Sequence, residues 1–321
     1  MTARWVVGGV AALLGAVLAG LAVGPTAIPL GDLLRGGLAP LDEAVLWELR
    51  APRVALGALV GGTLAVAGGA YQAVFRNPLA DPYLLGAAAG AGLGATAAIV
   101  YAGTVPLPLA AFAGATAAVG GAYALGRSVG GRDTATLILA GVAMAAFLTA
   151  LQTLLLQSDT DNVRAVYTWL LGRLTAASWS DVLLILPYAA VSVAAILAHR
   201  RVLDVLRVGD DEALALGVPV GRVRLIVVGA ATLGTAAAVA VSGLIGFVGI
   251  VVPHAVRLLA GTTYRAVLPL SVLFGAAFLV LADLAARTAL APAELPIGVV
   301  TACIGAPFFV VVLRGTRAAS T

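Results

Sequence analysis

Apolar runs of near-membrane length recur along this chain, parted by short polar stretches that hold most of its charges. A helix needs about 20 predominantly apolar residues to cross the hydrocarbon core of a bilayer. The pattern predicts ten spans, at about 5–24, 53–75, 84–101, 107–127, 134–156, 181–198, 222–241, 245–259, 267–289 and 295–313. Within each run the apolar side chains are continuous and do not alternate with polar ones, which predicts helices and excludes a β-barrel. The eighth run is the shortest and carries Pro253 and His254. The first follows Arg4 at full spanning length, so it reads as a membrane helix and not as a cleaved leader. The fold class predicted is an all-α polytopic membrane protein of about ten transmembrane helices.

Charge orients the spans. With the first residues inside, Arg4, Arg76, Arg127, Arg132, Arg200, Arg201, Arg207, Arg222, Arg224, Arg257, Arg265, Arg314 and Arg317 are cytoplasmic. Arg35, Arg50, Arg53, Arg164, Arg173 and Arg287 are then external. This bias agrees with the positive-inside rule and predicts both termini in the cytoplasm. Two external segments are long. Residues 25–52 hold Asp32, Asp42, Glu43 and Glu48; residues 158–180 hold an amphipathic piece from Asn162 to Leu174. Such half-polar pieces suit a cavity mouth better than lipid.

The longest charged passage of the second half is HRRVLDVLRVGDDEALALGVPVGRVRL, residues 199–225, predicted on the cytoplasmic side. Asp210 or Asp211 can N-cap a short helix, with Glu212 adding charge at its positive end. Gly217 stops that helix, since glycine reaches the left-handed conformation at little cost. Pro219 suits the first turn of the next helix. A helix–glycine–helix loop with apolar residues to spare predicts a docking surface.

Composition supports the membrane class: 61% of the residues are hydrophobic and 11% charged, against about 25% charged in soluble domains. The net charge of +4 is spread over the loops, so nothing suggests nucleic acid. Cys303, the single cysteine, lies in an apolar run and is expected to be a buried, inert thiol. The two histidines form no metal-spaced cluster. His199 is expected to cap a helix end and His254 to cap or pack. Asp283 is the clear intramembrane acid, and a local pair with Arg287 four residues on accounts for it. No Walker A sequence is present, so the chain is not itself an ATPase. Small residues at helical spacing, Gly57 and Gly61, then Gly86, Gly90 and Gly94, read as close helix contacts or as ordinary packing. The cluster Gly243, Gly246 and Gly249 lacks the strand and acidic residue of a dinucleotide loop. Without a chain of membrane-embedded acids, transport energy is expected from a partner.

Long stretches closely resemble the FecCD family, from about residue 50 onward: RAPRVALGALVGGTLAVAGGAYQAVFRNPLADPYLLGAAAGAGLG, LILAGVAM, GDDEALALGV, SGLIGFVGIVVPHAVRLL and LADLAARTALAPAELPIGVVTACIGAPFFVVVLR. Members are the permease subunits of binding-protein-dependent ABC importers for iron-siderophores, haem and vitamin B12. The resemblance implies ten membrane helices per subunit, working as a dimer with the pathway along the dimer interface. It implies that Asp210, Asp211, Glu212, Leu214, Leu216, Gly217 and Val218 form coupling helices seated in a groove of the ATPase. Asn77 and Leu79 match a cytoplasmic gate, with a second gate position at Thr134 and Ala135; the vitamin B12 permease has two hydroxyl side chains there and this chain one. Arg50, Arg53 and Arg287 match external arginines that pair with acids of the binding protein, with headgroup contact or local pairing as the plain alternative.

The sequence therefore reads as one transmembrane permease domain, 1–321, with a cytoplasmic coupling-helix loop at 199–225. It sits in the inner (plasma) membrane beside a second permease copy, expected as a homodimer, two ATPase subunits and an external substrate-binding protein. No cofactor is expected on this chain, with ATP and Mg on the ATPase. The competing readings are an ion-coupled secondary carrier and a membrane scaffold without transport.

Overall fold

In the computed structural model each predicted span contains a helix; residues 2–24, 31, 38–101, 105–129, 134–159 and 161–318 are described, without the side chains of Thr2, Thr134 and 313–318. The helices are α1 (Thr2–Ala22), α2 (Pro40–Ala44), α3 (Ala51–Phe75), α4 (Ala87–Val100), α5 (Leu107–Ser128) and α6 (Thr134–Ser158). They continue as α7 (Val163–Leu170), α8 (Trp179–Val205), α9 (Asp210–Ala215), α10 (Val220–Ser242), α11 (Val248–Ala260), α12 (Tyr264–Thr288) and α13 (Ile297–Ala318). A π-helical turn, Val45–Arg50, joins α2 to α3 without a break. Among the described residues, seven helical stretches are long and apolar enough to cross a membrane, and Ala87–Val100, Val248–Ala260 and Ile297–Val312 are shorter apolar helices. Asp32, Arg35, Arg132 and Asp133 lie outside the described residues.

The core forms around α3, which α8, α10, α11 and α12 surround. That position follows from composition: α3 is rich in Gly, Ala and Val and is buried along nearly its whole length. Small side chains let neighbouring backbones come close where no water-driven force pulls helices together. A Cβ on Gly61 of α3 would run into the Gly275 carbonyl of α12, and one on Gly90 of α4 into Gly114 of α5. Helix α1 leans on α12, while α4, α5 and α6 form a flank that joins the core through α10. The outer faces remain apolar, as with Leu139, Val142, Phe147 and Leu154 of α6. Such a surface suits lipid or a partner helix.

The short eighth span has a physical explanation. Helix α11 has 13 residues and rises only about 20 Å, too little for a core of about 30 Å. The unwound residues 243–247 lead into it, with Phe247 at φ +68°. Unwound backbone at membrane depth survives only where protein satisfies its polar groups. Here the Tyr83 hydroxyl donates to the Ile245 carbonyl at 3.1 Å. Ser242 O accepts from Arg173 N at 2.8 Å, holding the start of the segment to the stretch after α7.

Candidate functional site

Three groups of polar residues punctuate the bundle, two at the end that carries α9 and one at the opposite end. At the α9 end, α8 runs past His199 to Val205 before a 3-10 turn, so His199 does not cap a helix end. The α8 turns around it are already satisfied, and Nδ1 of His199 lies 2.7 Å from the Ala195 carbonyl. Helix α9 starts at Asp210 with Gly209 as its N-cap. Asp210 and Asp211 are therefore first-turn residues and not caps. Freed from capping, Asp210 accepts from Arg224 of α10 at 3.0 Å and faces Arg76 at 3.6 Å. The stop is as expected: Gly217 has φ +80°, Gly217 N donates to Leu214 O at 2.9 Å and Val218 N to Ala213 O at 3.0 Å. Pro219 caps α10 from just outside. Ala213 pins the loop inward, while Leu214 and Leu216 stand 56% and 70% exposed. Asp211 and Glu212 are exposed beside them and Val218 is half-buried.

The gate candidates occupy the same end. Asn77 and Leu79 lie on the turn after α3, where Asn77 Oδ1 accepts from Leu79 N at 2.9 Å. Asn77 is half-buried and Leu79 exposed. Pro78 keeps Asn77 out of the helical region. Ala135 is exposed in the first turn of α6; the Thr134 side chain lies outside the described residues. Leu137 lines a cavity of about 560 Å³ together with Asp210, Leu214 and Arg224, which brings the start of α6 to this end. Arg76 ends α3 in the left-handed conformation, φ +48° and ψ +34°, a placement that costs a side-chain-bearing residue about 1–2 kcal/mol. Asp81 accepts from Tyr83 N at 2.8 Å, and burial pushes its carboxyl up to about 6.

At the opposite end the three arginines expected to pair with acids of a binding protein are buried: Arg50 is 4% exposed, Arg53 9% and Arg287 4%. The reason is the last turn of α1, whose carbonyls lack helical partners. Arg50 donates to Leu21 O at 2.8 Å and Ala22 O at 3.0 Å, and Arg287 donates to Gly20 O at 2.5 Å. Arg53 reaches from α3 to α12, with Nε 2.9 and 3.0 Å from the two Asp283 oxygens and Nη2 2.9 Å from one. It also bonds both Glu294 oxygens at 3.0 Å. Asp283 therefore pairs first with Arg53, 230 positions away, and Arg287 stands 3.9 Å off. Burial alone would raise the Glu294 carboxyl, but the Arg53 bonds and charge outweigh it and hold it below the usual range. Arg53, Asp283 and Glu294 line a cavity of about 230 Å³ with Arg173, Thr168 and Thr175.

The sequence reading missed Glu294 and the partners of Gln72. A lone Gln inside an apolar helix was the available signal. Gln72 Nε2 donates to Gly249 O at 3.0 Å and to Ala80 O at 3.3 Å, and its Oε1 accepts from Arg257. Cys303 is exposed on α13 and not buried, because that face of the helix meets nothing in the single chain. His254 packs edge-on against Phe308 at 5.8 Å between centroids, as expected of a packing residue.

Comparison with known proteins gives the same family that the motifs suggest. The FecCD transport family profile matches residues 12–315. The cobalamin import system permease protein BtuC of Halobacterium salinarum is 43% identical, over 88% of this chain and 76% of that protein. The hemin transport system permease protein HmuU of Yersinia pestis is 41% identical, over 82% of this chain and 81% of that protein. A solved metal-chelate type ABC transporter in an inward-facing conformation superposes with a TM-score of 0.87 at 29% identity, covering 96% of this chain and 98% of that one.

Proposed function

Because the chain belongs to the FecCD transport family, we propose that it is the membrane-spanning permease subunit of a binding-protein-dependent ABC importer in the inner membrane. Its cargo is an iron-siderophore, haem or a cobalamin, moved with energy from ATP and Mg on two partner ATPase subunits. The α9 end is cytoplasmic, as the arginine bias favours, and both termini lie there too. The observation that carries the reading is the α9 loop. Leu214 and Leu216 stand out from the surface on a hydrogen-bonded turn, and Asp210 ties that turn to the core through Arg224 and Arg76. A push on α9 is thus delivered to the ends of α3 and α10 and to the Asn77–Leu79 gate beside them. Exposed apolar side chains on the outer helices suit a second copy of the chain. Arg53 is the docking arginine retained here, because its outer partner Glu294 can yield to a carboxylate of the binding protein. Arg50 and Arg287 serve mainly to cap α1.

The test is coupling. In the assembled transporter, Gly217→Val places a β-branched residue at φ +80°, with no atom near enough to clash. The strain falls on the turn alone, about 1–2 kcal/mol. The ATPase should still co-purify, while substrate-stimulated hydrolysis and uptake separate. Full coupling in this variant, or a chain that transports under an ion gradient with no ATPase bound, would overturn the proposal.

A further inference from the structure

At the α9 end, three arginines from separate elements share one cavity of about 230 Å³: Arg76 from the end of α3, Arg207 from the turn after α8, and Arg257 from the last turn of α11. Gln72, Pro78, Thr262 and Tyr264 complete the wall. Helix capping explains part of this gathering, since cations suit helix C-terminal ends. Arg207 donates to Thr262 O at 3.0 Å and to its Oγ1 at 3.2 Å. It does not explain the rest. The guanidinium carbons of Arg207 and Arg257 each lie 5.9 Å from the centre of the Tyr264 ring, two like charges on one aromatic group. Nη1 of Arg257 is buried and has no hydrogen-bond acceptor among the described residues. The acid nearest Arg76 is Asp210 at 3.6 Å, and Arg224 holds that same oxygen more closely at 3.0 Å.

A buried guanidinium donor left without an acceptor is costly. So is a long side chain in the left-handed position that Arg76 occupies, where glycine would be easier. An anion with several acceptor oxygens in the cavity would give the Arg257 donor its acceptor and offset the backbone cost at Arg76. A planar guanidinium fork matches phosphate geometry, and the cavity sits at the ends of α3 and α11, the part of a spanning helix that meets the headgroup region. We propose that this cavity binds a phosphate group, offered by an anionic lipid headgroup or as free inorganic phosphate. The proposal needs no particular transported cargo and stands apart from the importer reading.

The full chain, purified in zwitterionic detergent, tests it with two probes. Inorganic phosphate is titrated calorimetrically at constant ionic strength, and phosphatidylglycerol is added and counted by native mass spectrometry. Each is repeated with Arg76→Gly, which relieves the backbone and so should fold, and with Arg257→Gln, which keeps a donor but removes the charge. Wild type should bind at least one probe, and each variant should bind it about tenfold more weakly, the scale of one charge-assisted contact. Loss in the phosphate arm identifies the free ion as ligand; loss in the lipid arm alone identifies the headgroup. If wild type binds neither probe, or Arg76→Gly binds both as wild type does, the site is not a phosphate site.

Discussion

Removing Arg53 should destabilise the chain far more than its place as the third residue of α3 suggests. Asp283 is buried and takes three of its close contacts from Arg53, at 2.9–3.0 Å. In Arg53→Ala, Asp283 retains only Arg287 at 3.9 Å. Breaking one side of a buried pair costs about 3–5 kcal/mol, because the remaining charge is left desolvated. Glu294 is different: its side chain is 29% exposed, so water replaces much of what Arg53 offered. Glu294→Gln should cost about 0–1 kcal/mol. Replacing both members, Arg53→Met with Asp283→Leu, removes the stranded charge and should recover most of the loss. Reversible unfolding in mixed micelles, followed by circular dichroism, measures all four proteins. The reasoning is refuted if Arg53→Ala costs under about 1 kcal/mol, or if Glu294→Gln costs as much as Arg53→Ala.

The crossing of α3 and α12 predicts that Gly61→Val, whose Cβ would meet the Gly275 carbonyl, loses stability by several kcal/mol, while Gly120→Ala, with open space around it, changes little; a thermal melt of the two variants decides. Shrinking Asn77 and Leu79 together to alanine should raise substrate leak from vesicles without ATP, and an unchanged leak would place the constriction elsewhere. Asp81 gives a pH dependence. Its carboxyl titrates at about 6 in the fold, above the ordinary value near 3.9, so the fold favours the protonated form. That contribution is complete below the ordinary value and is lost as pH rises through about 6. Melting temperature should therefore fall between about pH 4 and about pH 6, and Asp81→Asn should flatten the slope; an equal slope in the variant would remove Asp81 as the cause.

Local pattern was enough to place a helix in each apolar run, because in lipid a run of apolar residues must satisfy its own backbone. It was enough, too, for the Gly217 turn, whose hydrogen bonds close within five residues, and for the family, whose motifs are contiguous. Contacts across sequence distance were not legible. Asp283 read as the partner of Arg287 because periodicity sees only neighbours on one helix; the fold brings Arg53 from 230 positions away. The buried caps on α1 arise likewise: Arg50 and Arg287 turn inward only because the end of α1 reaches them with unpaired carbonyls. Cys303 looked buried because apolar runs do not say which face meets protein and which meets lipid. Periodicity sufficed to find the helices of the apolar runs and the Gly217 turn, though not where α8 ends or what caps α9. Tertiary structure alone decided which charges find one another, since that depends on helix packing set by small residues such as Gly61 and Gly275.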